Sequence, residues 1–287
     1  MAIAPFPEIP PYDDADHVFD SGHLWITEWI VGDPLRFQLT HDGFVRFGTD
    51  EQVLAHDEIP LGVQTAVRTV RNDFDRSAFR AAVDDTESVT FHGVATHSRT
   101  LPYDLDDIPA FVGTAIYDET WGRSLPPDTV EKVFDRVNLA SVDPIDREVR
   151  AADLDPARYQ LPTSAWLDGT APGVVFVNKG GGRAYRAEPR DAWPTGANDD
   201  TTAGVDDATT AESASEVVSR WVTDEWVMDR IDSCGPAETV EAITAHALRR
   251  LAREVPTVGT EAGRADAGVS VGVLRSALAE RIAEEVS

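Results

Sequence analysis

Ile26–Phe47, ITEWIVGDPLRFQLTHDGFVRF, is the stretch on which the fold turns. Apolar and polar residues alternate from Leu35 through Leu39, and the alternation resumes at Val45 and Phe47. A period of two puts successive side chains on opposite faces, so these are strands with one buried face. Asp42-Gly43 between them is a hairpin signal, because glycine takes the positive φ that tight turns need. Upstream, His23–Ile30 carries a further strand, and Gly32 punctuates the passage between the two. The stretch reads as a strand, a glycine-bearing turn and a strand pair.

Outward from it, residues 1–20 are acidic and proline-rich. Pro5, Pro7, Pro10 and Pro11 hold the backbone extended and predict an N-terminal arm. Val63–Val70 is apolar and β-branched, which predicts a strand. Phe74, Ala78, Ala81 and Ala82 fall at helical spacing and predict a short helix near Asp75–Val83. Val89–Val94 and Phe111–Tyr117 predict buried strands, with a loop over Leu101–Ile108. Pro126–Leu139 sets Val130, Val133, Phe134 and Val137 on one helical face behind a proline start. Gly173–Val177, GVVFV, predicts a buried strand, followed by a glycine turn and a basic strand. Residues 191–215 hold almost no large apolar residue, so burial cannot offset their ordering entropy and they predict a linker. Beyond it, Glu216–Ile231, Ala237–Val255 and Val269–Val286 predict three helices. The resulting plan is an arm (1–20), a core (21–190), an acidic linker (191–215) and a helical C-terminal domain (216–287).

There are 51 acidic residues against 25 basic ones, a net charge of −26. Lys132 and Lys179 are the only lysines, so 23 of the basic residues are arginine. An acidic, lysine-poor surface suits solvation in high salt and reads as halophilic; an acidic partner-binding surface is the competing reading. Charge of this sign opposes nucleic-acid binding at low salt. At molar salt the Debye length falls to ~3 Å, and a local arginine stripe can still hold an RNA end. Cys234 is the only cysteine, which excludes an intramolecular disulfide and a cysteine zinc cluster. No secretory signal or membrane-length apolar run occurs, so a cytoplasmic protein is expected.

The order of these elements resembles the covalent nucleotidyltransferase core of RNA ligases. In that family a Glu-Lys-x-Asp-Gly element precedes a strand, an Asp-Gly turn and a further strand. Here it is Glu28-Trp29-Ile30-Val31-Gly32, with Trp29 in place of the nucleophilic lysine and Val31 in place of the aspartate. The family's aromatic-Gly-Glu element is matched by Phe91-His92-Gly93-Val94, with Val94 replacing the glutamate. Thr114 and Ala115 replace an aromatic residue and an aspartate. Pro172 holds the glutamate position ahead of the GVVFV strand, and Arg183 and Arg186 lie where phosphate-binding lysines are expected.

The resemblance implies an α+β fold: a nucleotidyltransferase (ATP-dependent ligase-like) core of antiparallel sheets with a small C-terminal helical domain. It also implies what the chemistry lacks. Lysine attacks the α-phosphate of ATP, carboxylates hold ribose and divalent metal, and cations neutralise developing charge. Arginine still binds phosphate but does not act as the nucleophile. The implied protein is a catalytically degenerate RNA-ligase-like binder of a nucleotide or RNA end, without a catalytic residue. Glu28, Arg36, Lys179, Arg183 and Arg186 would line its groove, and ATP with Mg2+ is the implied cofactor. RNA ends or an active ligase are the implied partners, and no membrane.

Two other readings stay open: an active nucleotidyltransferase using a relocated nucleophile such as Lys179, and an interaction module regulating an active ligase. Other constellations are weaker. His92 and His97 are five apart and point to opposite faces of a strand, which opposes a metal site with Asp104, Asp106 and Asp107. Gly180-Gly181-Gly182 lacks the following helix and Lys-Ser/Thr pair of a P-loop. Trp221 and Trp226, five apart, are expected to point to different surroundings.

Overall fold

The expected hairpin forms. β2 (Gly32–Leu39) and β3 (Val45–Gly48) pair antiparallel, with Phe37 opposite Phe47 and Leu39 opposite Val45. Gly43 closes the turn at φ +88°, its N–H donating to the Thr40 carbonyl. The computed structural model describes residues 3–56, 58–193, 214–234, 239–255, 258 and 271–286. Most of the expected linker lies outside the described residues.

The chain divides into two compact units. The first comprises Met1–Ile59, Ala66–His97 and Leu101–Gly196, and it contains two antiparallel sheets. β4 (Val89–Thr96), β5 (Phe111–Asp118) and the short β6 (Arg123–Ser124) extend the hairpin in the order β3-β2-β4-β5-β6. The other sheet has the order β7-β1-β8-β9, formed by β1 (His23–Glu28), β7 (Pro144–Arg150), β8 (Gly173–Asn178) and β9 (Arg183–Ala187). Gly32 is needed where β2 meets β4. A Cβ there would stand 2.5 Å from the Ala95 carbonyl oxygen and as close to the Val94 side chain.

One face of the five-stranded sheet carries an aromatic core. Phe37 and Phe91 stack at 4.7 Å and 1°, and Phe74, Phe79, Phe111 and Phe134 meet them edge-on or tilted. The strand expected over Val63–Val70 is instead the helix α2 (Gln64–Asp73, after the four-residue α1 at Asp16–Phe19). Its β-branched residues suit a strand, but its buried residues Ala66, Val67 and Val70 recur at helical rather than alternate positions. Asp75 caps α3 (Arg76–Arg80) by accepting from the Ser77 and Ala78 amides, and Pro127 starts α4 (Pro127–Arg136).

The second unit comprises Pro60–Thr65, Ser98–Thr100 and Ala197–Ser287. Its helices are α5 (Ala214–Trp221), α6 (Asp224–Cys234), α7 (Val240–Glu254) and α8 (Val271–Val286). The single helix expected over Glu216–Ile231 is two, because the Thr223 hydroxyl accepts from the Trp226 amide and starts a new helix. Trp221 and Trp226 both pack, half-buried, against one core with Val217, Leu251, Leu274 and Leu278. Among the described residues no helix is long and apolar enough to cross a membrane.

Candidate anion-binding site

The second face of β2 and β4 is polar and yet buried. Arg36, Gln38, Thr90 and His92 occupy it, none more than 6% exposed, and Arg36 stands directly across from His92 in the ladder. A strand whose polar face meets solvent needs no cover; this one has cover. It comes from the segment beginning at Ile3, where Ile3 and Ala4 are themselves buried. The Ala4 carbonyl accepts from Arg36 Nη1 at 3.0 Å and from His92 Nε2 at 3.3 Å, and the Ala4 amide donates to Thr90 Oγ1 at 3.3 Å. The Phe6 ring lies 4.9 Å from the His92 ring, with the Arg36 guanidinium 5.7 Å from its centre. Further along, the Tyr185 amide of β9 donates to the Pro10 carbonyl at 2.9 Å.

Arg183 approaches from the other sheet. Trp25, Val177 and Arg183 form one row across β1, β8 and β9, and Arg183 Nη1 donates to the Thr114 carbonyl of β5 at 3.2 Å. Arg183 is 5% exposed, and burial lowers its pKa to about 10, so it stays charged at neutral pH. Desolvation likewise pushes His92 down to about 4, against the help of the Ala4 and Pro5 carbonyls and with a further push from the Arg183 and Arg36 charges. Arg36 Nε, Arg183 Nε and His92 Nδ1 are buried and make no hydrogen bond. Buried donors are normally satisfied, so each of these guanidinium groups has an N–H free to take a further acceptor. The cavity beside Arg183, lined by Trp25, Thr27, Thr114, Glu131 and Val177 among others but not by Arg36 or His92, measures about 30 Å³, room for one water.

Of the five residues expected in the groove, Arg36 stands directly across from His92 and Arg183 is near enough for its charge to act on His92. Glu28 and Arg186 share a row through Val174, on the opposite face of the sheet from the Trp25–Arg183 row. Arg183 and Arg186 are three apart, an odd spacing that a strand resolves to opposite faces. The Glu28 carboxylate accepts from Ser164 Oγ and the Ala165 amide, and burial raises its pKa despite those donors. Arg186 donates to the Tyr159 carbonyl. Lys179 is half-exposed and pairs with Glu148 at 2.8 Å, a contact that raises its pKa. The amides of Gly180 and Gly182 both donate to Asn178 Oδ1, so the glycine turn is closed on its own side chain.

Val31 and Val94, at two positions where the family carries carboxylates, pack against one apolar cluster of Ile30, Leu101, Tyr103, Leu105, Ile108, Val112 and Leu167. Trp29 meets Tyr185 edge-on at 4.4 Å, and the Pro172 carbonyl accepts from the Glu188 amide. Among the described residues no group of three or more His, Cys, Asp or Glu stands together as a metal would need. The guanidinium N–H groups at this site suit an anion's oxygens and are not themselves metal ligands. His92 was legible in sequence only as a metal candidate. Its role beside two arginines follows from register between strands far apart in the chain.

No protein-family model and no curated protein matches the sequence. Among solved structures, a Naegleria gruberi RNA ligase with pyrophosphate aligns at a TM-score of 0.50 and 12% identity, as does a lysine-to-methionine mutant of it with AMP and Mn. Each alignment covers 65% of this chain and 56% of the other, so this chain spans little more than half the length of that ligase. An archaeal ATP-dependent RNA ligase aligns at 0.46 and 15% identity over 66% of this chain and 49% of its own. Two antiparallel sheets of mixed α/β architecture, with helices at the C-terminal end, give this chain the nucleotidyltransferase-like fold of RNA ligases.

Proposed function

We propose that this chain is a non-catalytic RNA-ligase-like protein that binds the phosphate of a nucleotide or of an RNA end between its two sheets. The observation that carries the reading is that Arg36 and Arg183 are both buried, each near enough for its charge to act on His92, with Nε–H groups that make no hydrogen bond; the Asp50 carboxylate acts on Arg36 through space but is not hydrogen-bonded to it. Burying cations this way is costly unless an anion arrives to pair with them. Phosphate accepts such charge-assisted hydrogen bonds in the geometry a guanidinium offers.

The non-catalytic part of the reading is supported by both lysines. Lys179 sits outside the cleft, its amine held protonated by Glu148, the opposite of what a nucleophile needs. Lys132 is exposed and pairs with Asp128 one helical turn away. The apolar packing of Val31 and Val94 leaves no carboxylate at those places for a metal.

Two assays test it. Incubation with α-labelled ATP and Mg2+ in molar KCl, resolved under denaturing conditions, is expected to leave the protein unlabelled; an acid-labile labelled band overturns the non-catalytic reading. Equilibrium dialysis against ATP, and against RNA with 5′-phosphate or 5′-hydroxyl ends, is expected to show binding that requires the phosphate. Arg36→Gln and Arg183→Gln should each weaken it about tenfold or more, the value of a charged hydrogen bond. Binding indifferent to both substitutions places the ligand elsewhere.

A further inference from the structure

The arginine pair is not accessible as it stands. Where an anion's oxygen would lie against Arg36 and His92, the Ala4 carbonyl lies instead, and the Phe6 ring covers both side chains. The separate void beside Arg183, which the segment does not line, holds about one water, whereas pockets for small molecules run to roughly 300 Å³ and above. A nucleotide or phosphate terminus enters only if something moves.

The segment from Ile3 to Pro11 is suited to be what moves. Pro5, Pro7, Pro10 and Pro11 have no N–H, so the segment cannot join either sheet by a continuous ladder. Its hold on the cleft rests on the Ala4 amide and carbonyl, the Pro5 carbonyl facing His92, the Pro10 carbonyl, an isolated bridge between Pro11 and Tyr185, and the burial of Ile3 and packing of Phe6. A neutral carbonyl is also a weaker partner for a guanidinium than an anionic oxygen, since it offers a dipole where phosphate offers a full charge and oxygens placed for bidentate contact.

We propose that Ile3–Phe6 is a displaceable occupant of the anion cleft, a piece of the chain that mimics the ligand's acceptor and leaves when the ligand binds. This rests on the reading of the cleft as a phosphate site. Binding of anion and release of the segment are then one equilibrium. The apparent affinity is the intrinsic affinity reduced by the fraction of molecules in which the segment is already out.

The test uses the full chain in molar KCl with inorganic pyrophosphate as probe. In the unsubstituted protein, saturating pyrophosphate is expected to speed hydrogen exchange at the amides of Ala4 and Tyr185, whose partners belong to the segment contact. Pyrophosphate that binds while both amides stay equally protected overturns the proposal. Phe6→Ala is expected to speed the same exchange without ligand and to tighten pyrophosphate binding about tenfold, as removal of a competing occupant should. Arg183→Gln added to it should abolish the gain. If Phe6→Ala frees the segment and affinity is unchanged, the segment is no competitor and only the phosphate reading survives. If the freed cleft binds neither pyrophosphate nor ATP, the phosphate reading fails and takes this proposal with it. Should Phe6→Ala not fold, the measurement on the unsubstituted protein still decides.

Discussion

Arg183 concentrates the energetics of the site in one side chain. It is buried, charged and hydrogen-bonded only through one end, to the Thr114 carbonyl. Replacing a buried charge that lacks a counter-charge by an apolar side chain of similar length relieves its desolvation. Arg183→Met is therefore expected to raise unfolding free energy by about 1–3 kcal/mol in urea titration while removing phosphate binding, stability and function moving in opposite directions. A loss of stability would mean that the Thr114 contact outweighs desolvation. His92 makes a second prediction. Its folded pKa of about 4 lies below the ordinary histidine value of 6.5, because burial and the Arg36 and Arg183 charges disfavour the protonated form. The unfolded chain then binds more protons between those values, so this group's contribution to stability falls as pH drops from about 6.5 to 4, by on the order of 3 kcal/mol in all. The carboxylates titrate over part of the same range, so the measurement is the difference between unsubstituted protein and His92→Gln. The gap between their unfolding free energies should shrink as pH falls from 7 to 4.5, and a constant gap would show that His92 is not held neutral.

At the scale of elements, strand register decides which residues can act together. The ladder sets Arg36 beside His92, and the row Trp25–Val177–Arg183 places Arg183 on the face of the other sheet from which it reaches the Thr114 carbonyl of β5. That register depends on β2 and β4 lying close, which Gly32 permits. Gly32→Ala would press a methyl group on the Ala95 backbone carbonyl, an atom that cannot rotate away. A loss of about 1–3 kcal/mol in a thermal or urea unfolding experiment is expected, with overpacking as the cause. Unchanged stability would show that β2 shifts freely, and the pairing of Arg36 with His92 would then not be held in place. The turn at Ser164 belongs to this scale too. Glu28 fixes it by accepting from Ser164 Oγ and the Ala165 amide, while Ser164 Oγ in turn accepts from the Trp166 and Leu167 amides. Glu28→Ala strands those donors and is expected to cost about 1–3 kcal/mol, without weakening phosphate binding if the cleft lies where Arg36 and Arg183 place it.

For the whole molecule, charge is the governing quantity. A net charge of −26 makes the folded chain repel itself at low ionic strength. Screening relieves this, with the Debye length shrinking from about 10 Å at 0.1 M salt to about 3 Å at 1 M. The melting temperature should rise steadily with KCl up to molar concentrations and continue upward beyond the range where screening saturates if hydrated acidic side chains add to the effect. A melting temperature flat in KCl would remove the high-salt reading of the composition. If the cleft takes a phosphate as proposed, the same screening would allow it in so acidic a chain, through short-range contacts inside the cleft rather than through its outer field.

Periodicity and turn chemistry in the sequence by themselves determined the hairpin at Asp42-Gly43, the buried strands at Val89, Phe111 and Gly173, and the helix after Pro126, because each is a local pattern of burial or a backbone requirement of one residue. The same patterns carried the likeness to the ligase fold. Where local pattern and local propensity disagreed, at Val63–Val70, packing chose a helix. Strand β7 left no readable signal, since Pro144–Arg150 has few apolar residues and most are exposed. The site itself was legible only as a set of candidate cations. Tertiary structure decided their surroundings: alternation puts Arg183 and Arg186 on opposite faces, a lateral register joins Arg36 to His92 across 56 residues of chain, and the segment at Ile3–Phe6 lies against those two side chains. Those are contacts between distant segments, and nothing in the order of residues along one segment records what another will bring to it.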